Sequence, residues 1–585
     1  MKLVIFDMDG TIVDTWDTIT HYMNYALESL KLATVNRDDI KKFAGDGRRK
    51  LIERCIKAVG AESSYTDKVE EIYSSAYIKN PLYLSKPCTG LLKDKPDNTT
   101  LDVIIKKLKE MGVKTAIVSN KPHELTVKIA EALFGDSVDE VRGASEGVAL
   151  KPNPVQILEI MEKFGVDKDE CIYVGDMDID IKTAKNAGIC SIGVLWGCHD
   201  WDRFVFAGAD IITHRPYEII KAASVPNVKD LKNPEYIPSY WKNHLEEKIN
   251  KIKENQLKAG ENSMSFGLIS DIHWCKQRTS YSGAILKKVA DECNIPYILN
   301  GGDTVSGAGT CKPERLFEEF SGYSKEFEAL EEKILMALGN HDSAYSEFEP
   351  PRYYAQNITK KEIFDYVFKY ETKYPDRIMS DDGFYFYVDC KPSKTRFVIM
   401  NPFDVPNDDV NEDGSAKYNR MRLSGYRQAQ LKWFADRALN VPSQEWTVVL
   451  CTHLNPASKE YCRNEDAVLN IIKAFREKTS YSINTTYEDI PDYNAELSGD
   501  FKKKGGNFAI WLSGHTHYDN TVVFENTLCT SIISDWNHQA DNIPFIRYAG
   551  SVMEHAFDIY TIDTKNHKLY VVRIGAGYDR EFDYL

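Results

Sequence analysis

The stretch LVIFDMDGTIVDT, residues 3–15, sets an apolar run directly before two acids, Asp7 and Asp9. The run is short, β-branched and aromatic, and bounded by Asp and Gly, so it reads as a buried strand. A plain turn is the bland account of the two acids, since Asp and Gly commonly end strands. Working outward, similar runs recur at KTAIVSN (114–120), CIYVGDMD (171–178) and SIGVLWG (191–197). Helical spacing lies between them, as in TTLDVIIKKLKEMG (99–112). Strands alternating with helices predict a doubly wound, Rossmann-like α/β core with both faces of a parallel sheet covered. Residues 16–85 interrupt the alternation with helix after helix and read as an insert behind the first strand.

From residue 264 a second α/β pattern starts, with SFGLISDIH (265–273), PYILNGGD (296–303) and ILMALGNHD (334–342). Later strands are FYFYVDC, RFVIMN, TVVLCTH and AIWLSGHTH, while 343–380 and 456–505 read as insertions or long loops. Residues 1–220 and 263–585 are therefore expected to form separate α/β domains. The segment 221–262 is expected to link them through WKNHLEEKINKIKENQLK, which places Trp241, Leu245, Ile249 and Ile252 on one helical face. The tail GYDREFDYL reads as a docked strand end and is given no chemistry.

A chain of 585 residues exceeds a single core. Its 43% hydrophobic and 28% charged content is that of a globular protein. A net charge of −15 opposes nonspecific nucleic-acid binding. No apolar run approaches the roughly 20 residues of a membrane span, and acids interrupt the apolar start, so no secretory signal is expected. The 12 cysteines form no CxxC pair and read as reduced core thiols, which makes the cytoplasm the expected compartment.

Ligands of open α/β sheets sit beyond the carboxyl ends of the strands. In the first half that edge collects Asp7, Asp9, Ser119, Asn120, Asp176, Asp178 and Asp180, with Lys151 in a loop nearby. Several carboxylates at close range need a counter-charge, and Mg²⁺ is the usual one beside phosphate. Asp178 reads as a loop residue, and His199 with Asp200 as an exposed histidine beside a helix start. In order, DMDGT, Ser119, Lys151 and GDMDID resemble the motifs of haloacid-dehalogenase superfamily phosphatases. The resemblance spans residues 1–215, with 16–85 as a phosphoglycolate-phosphatase-like helical cap and FAGDGRRKL (43–51) as its specificity loop. It implies Asp7 as the nucleophile of an aspartyl-phosphate and Asp9 as acid/base. It also implies Mg²⁺ on Asp7, the Asp9 backbone carbonyl and Asp176 with Asp180 behind, and phosphate on Gly10, Thr11, Ser119, Asn120 and Lys151. A phosphomutase would use the same residues.

The second half supplies Asp271, His273, Asp303, Asn340, His453, His515 and His517, each at the end of an apolar run. The first three motifs recur after 32 and 37 residues, the length of a strand–helix–strand step. Seven ligands exceed what one catalytic ion takes, and mixed carboxylate and imidazole suits Mn, Fe, Zn, Ni or Co. The pattern resembles the calcineurin-like metallophosphoesterases, an αββα sandwich, over residues 264–585. That resemblance implies one metal on Asp271, His273 and His517 and another on Asn340, His453 and His515. Asp303 would bridge the two, a bridging hydroxide would attack, and His341 would be the general acid oriented by Asp342. The chain is thus expected to be a bifunctional hydrolase acting on small phosphorylated substrates, a phosphatase in its first half and a phosphodiesterase or phosphomonoesterase in its second. Three alternatives stand beside it: a first half that only senses a phospho-ligand, a first half that is a phosphomutase, and a second half that is a nuclease.

Overall fold

The computed structural model describes all of the chain except residues 91–98, 232, 262, 275–280, 308–312, 344–358, 370, 407–416, 419–422, 535–549 and 585. Two compact units result, one built on Met1–Pro238 and the other on most of Ser239–Leu585. Among the described residues no helix is long and apolar enough to cross a membrane.

In the first unit the strand Leu3–Phe6 is buried on both faces, as a central parallel strand must be. The sheet runs in the order Glu140–Ala144, Lys114–Pro122, Leu3–Phe6, Cys171–Gly175, Cys190–Val194, Ile211–Thr213, and all neighbours are parallel. The chain moves outward from Leu3–Phe6 in one direction and then returns to its other side with Cys171–Gly175. This is the switch point at which a crevice opens beyond the strand ends. The insert is helical throughout, with Trp16–Ser29, Arg37–Phe43, Arg48–Ala58 and Thr66–Tyr77. Its apolar stripes close on one another through Ile19, Met23, Leu27, Ile52 and Val69. Asn36 starts the second of these helices by accepting the Asp39 N–H.

The second unit is a sandwich of two mixed sheets. One runs Ile334–Met336, Ile298–Asn300, Met264–Ile269, Ala556–Asp563, Lys568–Gly575, Arg580–Asp583, parallel in its first half and antiparallel in its second. The other runs Arg377–Met379, Phe386–Cys390, Thr395–Ile399, Thr447–Cys451, Asn507–Ser513, Thr527–Ser531, Asn520–Phe524. Their facing side chains form one core, with the Phe266 and Phe397 rings 5.0 Å apart. The tail is indeed a strand at the sheet edge, Arg580–Asp583.

Two expectations are corrected. The stretch 456–505 is not a loop but holds the helix Glu465–Glu477 and the hairpin Ser480–Thr485 with Ala495–Asp500. Val468, Ile471, Ile472 and Phe475 lie at helical spacing, and all are buried. In 343–380, residues 344–358 and 370 fall outside the described residues, and the rest carries the short helix Lys360–Ile363 and the strand Arg377–Met379. His199 is buried rather than exposed, its Nδ1 accepting the Asp178 N–H at 2.9 Å, while Asp200 caps the helix Trp201–Ala207.

The helix Lys242–Ala259 belongs to the second unit. Leu245, Ile249 and Ile252 are buried against the antiparallel strands Ala556–Asp563 and Lys568–Gly575. Lys248, at the flank of that face, reaches Asp579 at 2.9 Å. Leu245 is fully buried, so Leu245→Ala is expected to destabilise the second unit by about 2–5 kcal/mol, read as a lower denaturant midpoint of its unfolding transition.

Two candidate active sites

The first site forms where the strand Leu3–Phe6 ends. The Asp7 N–H still bonds to the Val174 carbonyl at 2.9 Å, and the chain then turns through Gly10, whose φ is +82°. A Cβ at Gly10 would collide with the Asp176 carboxylate and the Trp16 ring, so only glycine fits there. Oxygens of Asp7, Asp176 and Asp180 lie within 4.8 Å of one another, and all three residues are buried. Lys151 Nζ donates to Asp7 at 2.7 Å and to Asp180 at 2.6 Å. Burial first, opposed by Lys151, and the neighbouring acid Asp180 then push the Asp7 carboxyl up to about 6. Burial, with Asp7 and Asp180 beside it, holds Asp176 well above the usual carboxylate range. One lysine does not balance three acids, and a hard divalent cation fits this oxygen-only donor set.

Asp7, Asp9, Ser119 and Lys151 line a cleft whose opposite wall is the helical insert, with Trp16, Arg48, Tyr73 and Tyr77. Three residues expected at the phosphate are engaged elsewhere. Thr11 Oγ1 donates to Asp176 at 2.9 Å, and the Gly10 N–H bonds to the Val13 carbonyl at 2.8 Å. Asn120 faces the cleft, but its amide is used by the backbone. It accepts from the Lys151 N–H at 2.8 Å and donates to the Gly45 carbonyl at 2.9 Å, joining the insert to the core. Asp178 stands outside the acid cluster and pairs with Lys182 at 2.7 Å.

Sequence reasoning missed Lys121. Its buried ammonium lies 3.0 and 3.2 Å from the two Asp9 oxygens and 4.6 Å from the centroid of the Tyr77 ring. Thr15 also donates to Asp9, at 2.6 Å. The signal was available, because Ser119 and Lys121 are two apart on one strand and so share a face.

The second site gathers at the matching edge of the other unit. Two groups of ligand atoms form, Asp271, His273, Asp303 and His517 in one and Asp303, His453 and His515 in the other, with Asp303 in both. Asn340 Oδ1 lies 3.0 Å from His453 Nε2 and 3.1 Å from His515 Nδ1, which adds it to the second group. Asp271, His273, Asp303, His515 and His517 all take positive φ, between 46° and 75°, a strained conformation that concentrates at functional sites. Gly339 is obligatory because a Cβ there would strike the Asp303 backbone and carboxylate.

Asp303 shows what the nest is built to hold. Its Oδ1 accepts the His341 N–H at 2.8 Å, whereas its buried Oδ2 has no hydrogen-bond partner among the described residues. That oxygen sits 3.2 Å from His453 Nε2 and 3.9 Å from both His273 Nε2 and His341 Nε2. Burial disfavours its charge, but His453 and His341 outweigh this and hold the carboxyl well below its ordinary range. The histidine orientations agree with a metal-binding role. His453 Nδ1 faces the Gly301 carbonyl at 2.7 Å and His515 Nε2 faces Glu460 at 3.0 Å, which turns His453 Nε2 and His515 Nδ1 toward the nest. Glu460 was not foreseen, since nothing in its spacing marks it.

His341 is oriented differently from the expectation. Its Nδ1 lies 2.7 Å from the Ser306 carbonyl, so its Nε2 faces the nest. Among the described residues no hydrogen bond joins Asp342 to the ring. Asp342 accepts backbone N–H bonds from Thr304, Gly339 and Val305 at 2.9, 2.9 and 3.2 Å and fixes the loops instead.

Residues 4–194 match the family model of haloacid dehalogenase-like hydrolases, and residues 264–519 match that of calcineurin-like phosphoesterases. The phosphoglycolate phosphatase of Aquifex aeolicus (strain VF5) is 29% identical over 222 residues, 38% of this chain and 96% of that protein. That of Psychrobacter arcticus is 30% identical over 204 residues, 34% of this chain and 84% of that protein. That of Agrobacterium fabrum is 31% identical over 201 residues, 34% of this chain and 82% of that protein. Both families use divalent metals, in keeping with the two nests. The chain is therefore a two-domain hydrolase of phosphoric esters, belonging to the haloacid dehalogenase-like hydrolases through residues 4–194 and to the calcineurin-like phosphoesterases through residues 264–519.

Proposed function

We propose that the chain is bifunctional, with a phosphomonoesterase in residues 1–220 and a phosphodiesterase or phosphomonoesterase in residues 263–585. The observation that carries the reading is that each sheet edge gathers buried carboxylates whose charge and lone pairs the chain's own groups leave unbalanced. Asp7, the buried acid at the strand end, attacks phosphorus and carries the phosphoryl group as an acyl phosphate. Asp9 protonates the leaving oxygen and then takes a proton from the water that releases phosphate. Ser119 and Lys151 hold the phosphoryl oxygens, and Lys121 and Thr15 keep the Asp9 carboxylate aimed. The insert covers the cleft with Trp16, Tyr73 and Tyr77 and shields it from bulk solvent, leaving the attacking water to Asp9. The phosphoglycolate named for the relatives is the first small phosphomonoester to test.

In the second site His341 Nε2 donates the proton to the departing oxygen, and Glu460 and the Gly301 carbonyl keep His515 and His453 turned into the nest. A divalent ion, Mg²⁺ among the carboxylates of the first site and Mn, Fe, Zn, Ni or Co in the imidazole-rich second, supplies charge neutralisation and Lewis acidity when bound.

Aryl phosphate and bis-aryl phosphate hydrolysis by the parent, Asp7→Asn and Asp303→Ala proteins tests the division. Asp7→Asn is expected to abolish only the first-site monoesterase, and Asp303→Ala only the second-site activity. Unchanged monoester turnover of every phosphomonoester in Asp7→Asn would remove the catalytic role given to the first unit. His341→Ala is expected to lower second-site kcat by about 10²–10⁴-fold, least for substrates with good leaving groups. Lys121→Met is expected to lower first-site kcat by up to about 10²-fold through misplacement of Asp9, with protein folding unchanged by circular dichroism.

A further inference from the structure

The two ligand histidines of GHTH sit on a loop whose backbone is strained at both, with φ +75° at His515 and +56° at His517. A loop of this kind keeps its shape only where its surroundings hold it. Side chains from three places fasten it, besides bonds to the Gly514 backbone. The His515 N–H is bound by both oxygens of Asp271, each at 2.9 Å, and Thr516 Oγ1 meets Ser531 Oγ at 3.0 Å. The third is ionic: Asp519, two residues beyond His517, accepts from Arg573 Nη1 at 2.5 Å.

Arg573 is fully buried on Lys568–Gly575, a strand of the sheet opposite the one that carries the histidine loop. Its remaining donors are fixed. Nε and Nη2 grip Asp558 at 2.7 and 3.3 Å, Nη1 also reaches the Ala576 carbonyl at 2.7 Å, and its backbone N–H bonds to Asp579 at 2.9 Å. Arg580 shares Asp558, so the two arginines face two aspartates, Asp558 and Asp519, and the cluster is balanced only when Asp519 is in it. A planar guanidinium clamped on three sides has little freedom, and it dictates where Asp519 must stand. The family match ends at Asp519, so Arg573 lies beyond it, in the stretch whose end was given no chemistry from the sequence.

We propose that Arg573 is a positioning residue for the metal nest, fixing through Asp519 the loop that presents His515 and His517. His517 is the ligand nearest the clamp in sequence, and its Nε2 lies 3.1 Å from His273 Nε2 and 3.5 Å from Asp271 Oδ1. Release of Asp519 therefore acts first on the ion that His517 shares with Asp271 and His273. The inference rests on reading the second nest as a two-metal site.

The test titrates metal-stripped full-length protein with Mn²⁺ and follows binding by calorimetry. Sites present in the parent and lost in Asp303→Ala define those of this nest. Asp519→Asn keeps the shape of the side chain and removes its charge. It is expected to weaken one of those sites about 10–100-fold, the usual size of an outer-shell loss, and to leave the other within a few-fold. Second-site hydrolysis should return as Mn²⁺ is raised, which a merely destabilised protein would not show. Arg573→Lys should fall between the parent and Arg573→Met, and Asp519→Asn combined with Arg573→Met should bind Mn²⁺ no worse than Arg573→Met alone. If Arg573→Met does not fold, the Asp519→Asn and Arg573→Lys titrations decide the matter. Parental Mn²⁺ affinity in Asp519→Asn, with or without a lower melting temperature, would overturn the proposal. Retention of every Mn²⁺ site by Asp303→Ala would instead overturn the two-metal reading itself.

Discussion

Lys151 Nζ stands 2.7 Å from Asp7 and 2.6 Å from Asp180, one cation among three buried acids whose oxygens approach within 4.8 Å. Removing each ionised carboxylate from water costs several kcal/mol, and the three repel one another as well. The rest of the first unit is arranged to make that cluster tolerable and to keep it in place. Parallel strands buried on both faces hold Asp7 and Asp176 at adjacent strand ends. Thr11 and the Cys198 N–H each donate to Asp176 at 2.9 Å, and the Met177 N–H donates to Asp180 at 3.0 Å. Burial still pushes the Asp7 carboxyl up to about 6, so the chain's own donors only partly compensate it. A cluster left short of positive charge in this way favours a divalent cation.

The second unit meets the same constraint with other materials. It uses imidazoles in place of a lysine around its two acids, Asp271 and Asp303. Backbone strain at five of the ligand residues and glycines that admit no Cβ are the structural consequences of packing so many donors at one edge. The outer contacts that tolerate this strain come from distant parts of the chain. Ser306 turns His341, Glu460 turns His515, and Arg573 reaches the histidine loop from the opposite sheet. Ligands of a strained nest depend on such contacts for their direction as much as on their own strands.

Residues 16–85 play a different part. They add no acid to the cluster, but their helices pack into a core of their own and present aromatic rings to the cleft. Lys121 touches Tyr77 of the insert and Asp9 of the core at once, so the two share a contact beside the cleft.

The sequence by itself determined the strands, the insert and the candidate ligands that end apolar runs, because burial on both faces demands continuous apolar runs and carboxyl edges collect polar residues. Asp7, Asp176, Asp271, Asp303, His453 and His515 were all legible for that reason. Tertiary structure alone decided the groups that act through another residue. Glu460 and Asp519 lie on loops and Arg573 on a distant strand, and no periodicity marks them as partners of the histidine loop. It also decided which motif residues are spent on the scaffold: Thr11 and Asn120 bind chain atoms, and Asp342 binds three backbone N–H groups rather than His341. Periodicity reports which side of an element is buried, whereas hydrogen-bond partners depend on which elements meet, and that is set only when the sheets close.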